Sequence, residues 1–142
     1  MAKAKVRVIK IVPDESIIRK IYLFRGHKVM LDRDLASLYG VETKVLNQAV
    51  KRNIARFPKD FMFQLNKKEV QNLRSQFVTS SHGGRRTHPF AFTEQGVAML
   101  SGIINSDVAI KMNIAIMRAF VEIRKIALQH KSIAEKLILL ED

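Results

Sequence analysis

With 142 residues, 47% of them apolar, the chain is long enough for one compact domain plus an appended element, and too apolar to be wholly disordered. A formal net charge of +12 favours an anionic partner, either a nucleic acid or an anionic membrane surface, although charge alone also suits a basic protein that is merely kept soluble. The absence of cysteine excludes disulfides and thiolate metal sites, and no run of about 18 apolar residues offers a membrane span.

The basic start, Met1 to Val8, leads into no long apolar run, because Lys10, Pro13, Asp14 and Glu15 interrupt it too soon for a signal peptide; a cytoplasmic protein is the simplest expectation. The β-branched stretch Val6 to Val12 is expected to be a strand ending at Pro13. Asp14 or Ser16 could cap a short helix through Ile17, Ile18 and Ile21. Tyr22 to Phe24 and Lys28 to Leu31 flank Arg25-Gly26-His27, where Gly26 can take a positive φ and close a small hairpin. Asp32 to Asn53 is helical in character, and Arg56-Phe57-Pro58 ends it, because a proline disfavours helix at the residue before it. Phe61 to Leu65 is the next predicted strand. Asn66 should then cap a helix to about Gln76, with Glu69 returning the capping hydrogen bond and Leu65 packing on Val70. Val78 to Pro89, with Gly83-Gly84-Arg85-Arg86, has the composition of a loop. Phe90 to Phe92 is a short strand, Thr93 caps a helix ending near Gly102, and Ser106 caps the longest helix, from Asp107 to about Gln129 or beyond.

The charge is uneven along this order. Residues 1–105 hold 19 Lys and Arg against 8 Asp and Glu, whereas residues 106–142 hold 6 against 5. The expected division is therefore a basic domain, 1–105, the part that would meet an anionic partner, followed by a long C-terminal helix, 106–142, with another task.

Asp32 to Lys51 has the residue types that a helix-turn-helix demands. Ala36 is the small contact between helices, Gly40 the sharp turn, and Leu35, Leu38, Tyr39, Val41, Leu46 and Ala49 the apolar lock. Asp32 is placed to cap the first helix and Thr43 the second. At about 100° per residue, Val45, Leu46, Ala49 and Val50 share one face of the second helix. Lys44, Asn47, Gln48, Lys51 and Arg52 share the other, with no acid and no large apolar side chain. The amides of Asn47 and Gln48 suit adenine edges and are the candidate base contacts; Lys51 and Arg52 suit phosphates. An ordinary helical hairpin with a solvated basic face would show the same spacing. Arg85 and Arg86 are a candidate basic arm for phosphates or a narrow minor groove, or else simply solvated.

Several of these segments in order carry a family resemblance. Val29 to Val41, Lys51-Arg52-Asn53, Arg56 to Leu65, Gly83 to Arg86, Pro89 to Leu100 and Ile116 to Phe120 resemble the ORF-six-N phage domain family, a relative of the KilA-N and Bro-N domains, over roughly Ile18 to Arg124. The resemblance implies a DNA-binding domain of phages, prophages and bacteria linked to antirepressor-like regulators, often continued into a further C-terminal domain. It transfers no individual DNA contact.

In the tail, Ile116, Phe120, Ile123, Ile126 or Ala127, His130, Ile133, Leu137 and Leu140 recur at spacings of three and four, a coiled-coil-like seam. Up to Phe120 it can lie on its own domain; beyond Ile126 an apolar stripe of Ile126, Ile133, Leu137 and Leu140 would need a partner, and a homodimer is expected. His130 is taken as a tolerated polar position on that seam.

Enzyme readings fare poorly. His27, His82, His88 and His130 include no ligand pair at helical spacing, the front half is too acid-poor for a Mg²⁺ site, and Ser80 and Ser81 have no evident base. No enzyme, metal or cofactor is expected. The rival reading is an interaction module, an antirepressor adapter that binds a repressor protein without reading DNA sequence. RNA binding ranks lower, because no aromatic stacking platform stands beside the basic residues in the sequence. The expectation is an α+β domain containing a helix-turn-helix, a small antiparallel sheet and a long C-terminal helix, bound to double-stranded DNA.

Overall fold

The structure of the protein, a computed structural model, describes residues 15–75 and 88–141, the side chains of Ala134 and of residues 138–141 excepted. The expected strand at Val6 to Val12, the Asp14 cap, Arg85 and Arg86, and the side chain of Leu140 lie outside the described residues.

The architecture is α+β, a four-stranded antiparallel sheet between helices. A one-turn helix α1 (Glu15–Ile18) precedes β1 (Tyr22–Phe24) and β2 (His27–Leu31). Helices α2 (Asp32–Tyr39) and α3 (Thr43–Arg52) follow, then a 3₁₀ turn (Ile54–Arg56) and β3 (Met62–Gln64). The chain continues through α4 (Lys67–Ser75), β4 (Phe90–Thr93), α5 (Glu94–Leu100) and α6 (Asp107–Glu141). Strand order is β1-β2-β4-β3, so β4 is inserted between the hairpin and β3, with Met30 opposite Phe92 and Met62 opposite Phe92 on its other side.

Alternation along the strands sends residues to two cores. Met30 and Phe92 point to one face, where they are buried with Leu35, Ala36, Tyr39, Leu46, Val50, Val97, Leu100, Ile116 and Phe120 from the helices. Val29, Leu31 and Ala91 point to the other, where they meet Phe24, Leu65 and Leu73 under α4. The sheet is thus a middle layer, with α4 on one side and the other long helices opposite.

Local signals explain the joints. Arg25 and Gly26 close the hairpin with φ of 56° and 78°, the left-handed pair that a two-residue turn of matching twist requires. Holding a non-glycine residue there is unfavourable, and Arg25 is fixed by two hydrogen bonds to Glu69, at 2.8 and 2.9 Å, and by stacking 4.2 Å above the Phe63 ring. Glu69 also accepts from the Asn66 backbone while the Asn66 side chain accepts from the Glu69 backbone, both at 2.8 Å, the reciprocal cap expected of α4. Thr93 caps α5 by accepting from the Gly96 N–H at 3.3 Å and donates to the Asp60 carbonyl at 2.9 Å. Gly96 permits the close packing of α5, since a Cβ there would stand 2.0 Å from the Phe61 carbonyl oxygen.

Ser106 caps α6, accepting from the Ala109 N–H at 3.1 Å. The helix has 35 residues, about 50 Å at 1.5 Å per residue. Its first half packs against α1, α2 and α5. Tyr39 of α2 donates to the buried Asn113 of α6 at 2.5 Å, and burial pushes the Tyr39 phenol well above its ordinary pKa. Arg124 donates to Glu94 of α5 near the last point of attachment. From Arg124 to Leu137 every described side chain is exposed, Ile133 by 57% and Leu137 by 56%.

Candidate nucleic-acid interface

Helices α2 and α3 are joined by the three residues Gly40, Val41 and Glu42. Gly40 ends α2 with φ of 75°, a left-handed cap in which its N–H and that of Val41 return to the carbonyls of the last turn of α2. Leu35, Ala36, Tyr39, Leu46 and Val50 are buried between the two helices and the core, with Leu38, Val41 and Ala49 half-buried beside them.

The expected caps shift by one residue. Leu31 occupies the N-cap of α2 and Glu42 that of α3, neither with a side-chain capping bond, so Asp32 and Thr43 are the first helical residues instead. Asp32 serves a different purpose. It is only 2% exposed, accepts from the Arg33 N–H at 2.7 Å through Oδ1, and accepts from the Asn47 side chain at 3.0 Å through Oδ2. The start of α2 is thereby bonded to the middle of α3 by a charge-assisted hydrogen bond.

This contact corrects the expected facing of α3. Asn47 is half-buried, with its amide donating inward to Asp32, so it is not a free outward group. Val45, expected on the inner face, is 44% exposed. The buried stripe runs along Leu46 and Val50, with Thr43, Asn47, Ala49 and Asn53 as half-buried borders. The outward face carries Lys44, Gln48, Lys51 and Arg52, all exposed, together with Val45. None of the three cations on it has an ion-pair partner among the described residues, where the ion pairs are Arg19–Glu15, Arg25–Glu69 and Arg124–Glu94. Among the described residues no three His, Asp or Glu side chains converge as a metal site, and no helix is long and apolar enough to cross a membrane.

Tertiary packing adds what the sequence did not disclose. Beside the outward face lies a groove of about 650 Å³, lined by Lys44, Asn47, Gln48 and Lys51 and by Val50, Ile54, Met62 and Phe90. Met62 and Phe90 come from β3 and β4 and are half-buried against the core cluster that also holds Leu46 and Val50 of α3. An aromatic ring does therefore stand beside the basic residues, contrary to the sequence expectation. Its separation of nearly forty residues from Lys51 leaves no local signal by which to find it.

The family model described as the ORF6N domain matches residues 19–103. No curated protein and no solved structure matches the chain.

Proposed function

The chain belongs to the ORF6N domain family, a phage-associated family, and on that premise we propose that it is a DNA-binding regulator of phage or prophage type in which α2 and α3 act as a helix-turn-helix. The observation that carries this reading is the outward face of α3: Lys44, Gln48, Lys51 and Arg52 stand exposed, without ionic partners among the described residues, on a helix anchored by Leu46, Val50 and the Asn47–Asp32 bond. Gln48 is the candidate base contact. Lys44, Lys51 and Arg52 supply charge to phosphates or guanine edges. Thr43, half-buried in the first turn of α3, can support that end of the contact, and Arg85 and Arg86 are kept as a candidate arm.

In this proposal residues 1–105 hold the DNA and the free part of α6, within 106–142, holds a second copy of the chain. Ile126, Ile133 and Leu137 form an exposed apolar stripe on a helix that has left its domain. Two chains joined there would present two copies of α3 to a palindromic site.

The test is selection of bound duplexes from a random pool, with affinity for the selected site measured over a range of salt. A selected site, and an affinity that falls steeply with salt, are expected. Gln48→Ala should lose about 1–3 kcal/mol of preference for that site. Lys51→Ala should weaken all duplexes alike and flatten the salt slope by about one counterion. Failure to hold any duplex in low salt refutes the reading. The exposed stripe on α6 equally favours an adapter that docks on a repressor; in that case the Gln48 and Lys51 variants keep full partner binding and no duplex is enriched.

A further inference from the structure

The groove beside α3 has a composition that duplex reading alone does not use. A helix entering a major groove needs outward polar groups, and Lys44, Gln48 and Lys51 provide them. The neighbouring wall and floor are instead apolar: Val50, Ile54, Met62 and Phe90. None of the lining side chains is acidic, and the two lysines on its rim have no ion-pair partner among the described residues. At about 650 Å³ the space is ample for a single planar heterocycle of nucleobase size.

An apolar floor with an aromatic ring, amides on one wall and cations at the rim is the combination that holds an unstacked base. The ring and the thioether contact the base faces, the amide of Gln48 can meet its edge, and the lysines meet the flanking phosphates. A fully stacked duplex offers no base to such a floor, since only base edges reach the groove surface. An apolar peptide would fill the floor as well, but it would leave Lys44 and Lys51 without countercharge.

We propose that this groove takes the base of an unpaired deoxynucleotide, with Lys44 and Lys51 on the adjoining phosphates, so that the protein grips DNA most tightly where a base is unpaired or readily leaves the stack. The inference rests on the reading of α3 as the DNA-contacting helix and extends it from base edges to a whole base.

The experiment uses the full chain and three probes: a paired duplex, the same duplex with one bulged 2-aminopurine, and the single strand carrying 2-aminopurine. The bulged duplex is expected to bind at least tenfold more tightly than the paired one, with 2-aminopurine emission rising as the base leaves its neighbours. Phe90→Leu, which keeps an apolar side chain at a half-buried site, should cut that preference about fivefold or more while binding the paired duplex as before. Because Phe90 also touches the core, Ile54→Glu is the second variant: Ile54 is exposed, and a carboxylate there should abolish the emission change without affecting folding. Salt-dependent binding of paired duplex with no preference for the bulge and no emission change overturns this inference and leaves the reading of α3 intact. Binding of the bulge and single strand with the emission change, but no binding of paired duplex, supports the inference and overturns duplex reading. Emission changes that persist unaltered in both variants also overturn it, because the base would then lie elsewhere.

Discussion

Replacing Asn47 with alanine separates the joint between α2 and α3 from any ligand. The Asn47 amide is a side-chain donor to Oδ2 of Asp32 at 3.0 Å, and Asp32 is 2% exposed. A hydrogen bond to a charged group contributes about 1.5–3 kcal/mol, and a buried carboxylate oxygen left without it bears its desolvation cost. Asn47 itself is half-buried, so water can partly replace the amide, and a loss of about 2 kcal/mol is expected. That corresponds to a fall of about 6 °C in Tm for a domain of this size. Urea unfolding followed by far-ultraviolet circular dichroism measures it, with Gln48→Ala, one residue along and exposed, expected within about 0.5 kcal/mol of the parent. In the cycle with Asp32→Ala, the double variant should be less destabilised than the sum of the singles by about 1 kcal/mol or more. An Asn47→Ala protein as stable as the parent, or strict additivity with Asp32→Ala, would refute the structural role. The outcome also governs DNA experiments: weaker binding by Asn47→Ala would reflect a loosened α3, whereas weaker binding by Gln48→Ala would reflect a lost contact.

Three further outcomes follow from other parts of the fold. The Arg25 hydrogen bonds, with the Asn66 N–H beside them, hold the Glu69 carboxyl below its ordinary range, so this group adds stability at pH above about 4.5 that is lost as pH falls through its lowered pKa; Arg25→Gly should reduce that pH dependence in acid-unfolding curves, leaving the smaller part due to Asn66, while sparing the hairpin its strained non-glycine residue. Gly96→Ala should fail to give a soluble, cooperatively unfolding protein, since its Cβ would meet the Phe61 carbonyl at 2.0 Å; a stable alanine variant seen by thermal unfolding would show that α5 can shift. If α6 pairs two chains as proposed, the parent should sediment as a dimer and Ile133→Asp with Leu137→Asp as a monomer, without a change in the thermal unfolding of the domain, because both side chains stand clear of it; a mass equal in parent and variant would refute pairing through α6.

What local chemistry dictates was legible in the chain itself. The reciprocal Asn66–Glu69 cap, the Thr93 and Ser106 caps, the glycine turns at Gly26 and Gly40, and the cationic, acid-free character of one side of α3 all depend on residues within a few positions of one another. Helical periodicity likewise grouped Leu46 with Val50 and Lys44 with Gln48 and Lys51.

Tertiary packing decided the borders of those groups. Periodicity tells which side chains share a direction, but not how far around the helix a neighbouring element reaches. Asp32, one helix away, drew Asn47 inward and left Val45 to solvent. The insertion of β4 between β2 and β3 set Phe90 and Met62 beside α3, and so placed an aromatic floor next to lysines with which it shares no local pattern. Contacts between residues far apart in the chain depend on strand order and register, which are fixed only when two cores on opposite faces of one sheet are filled together.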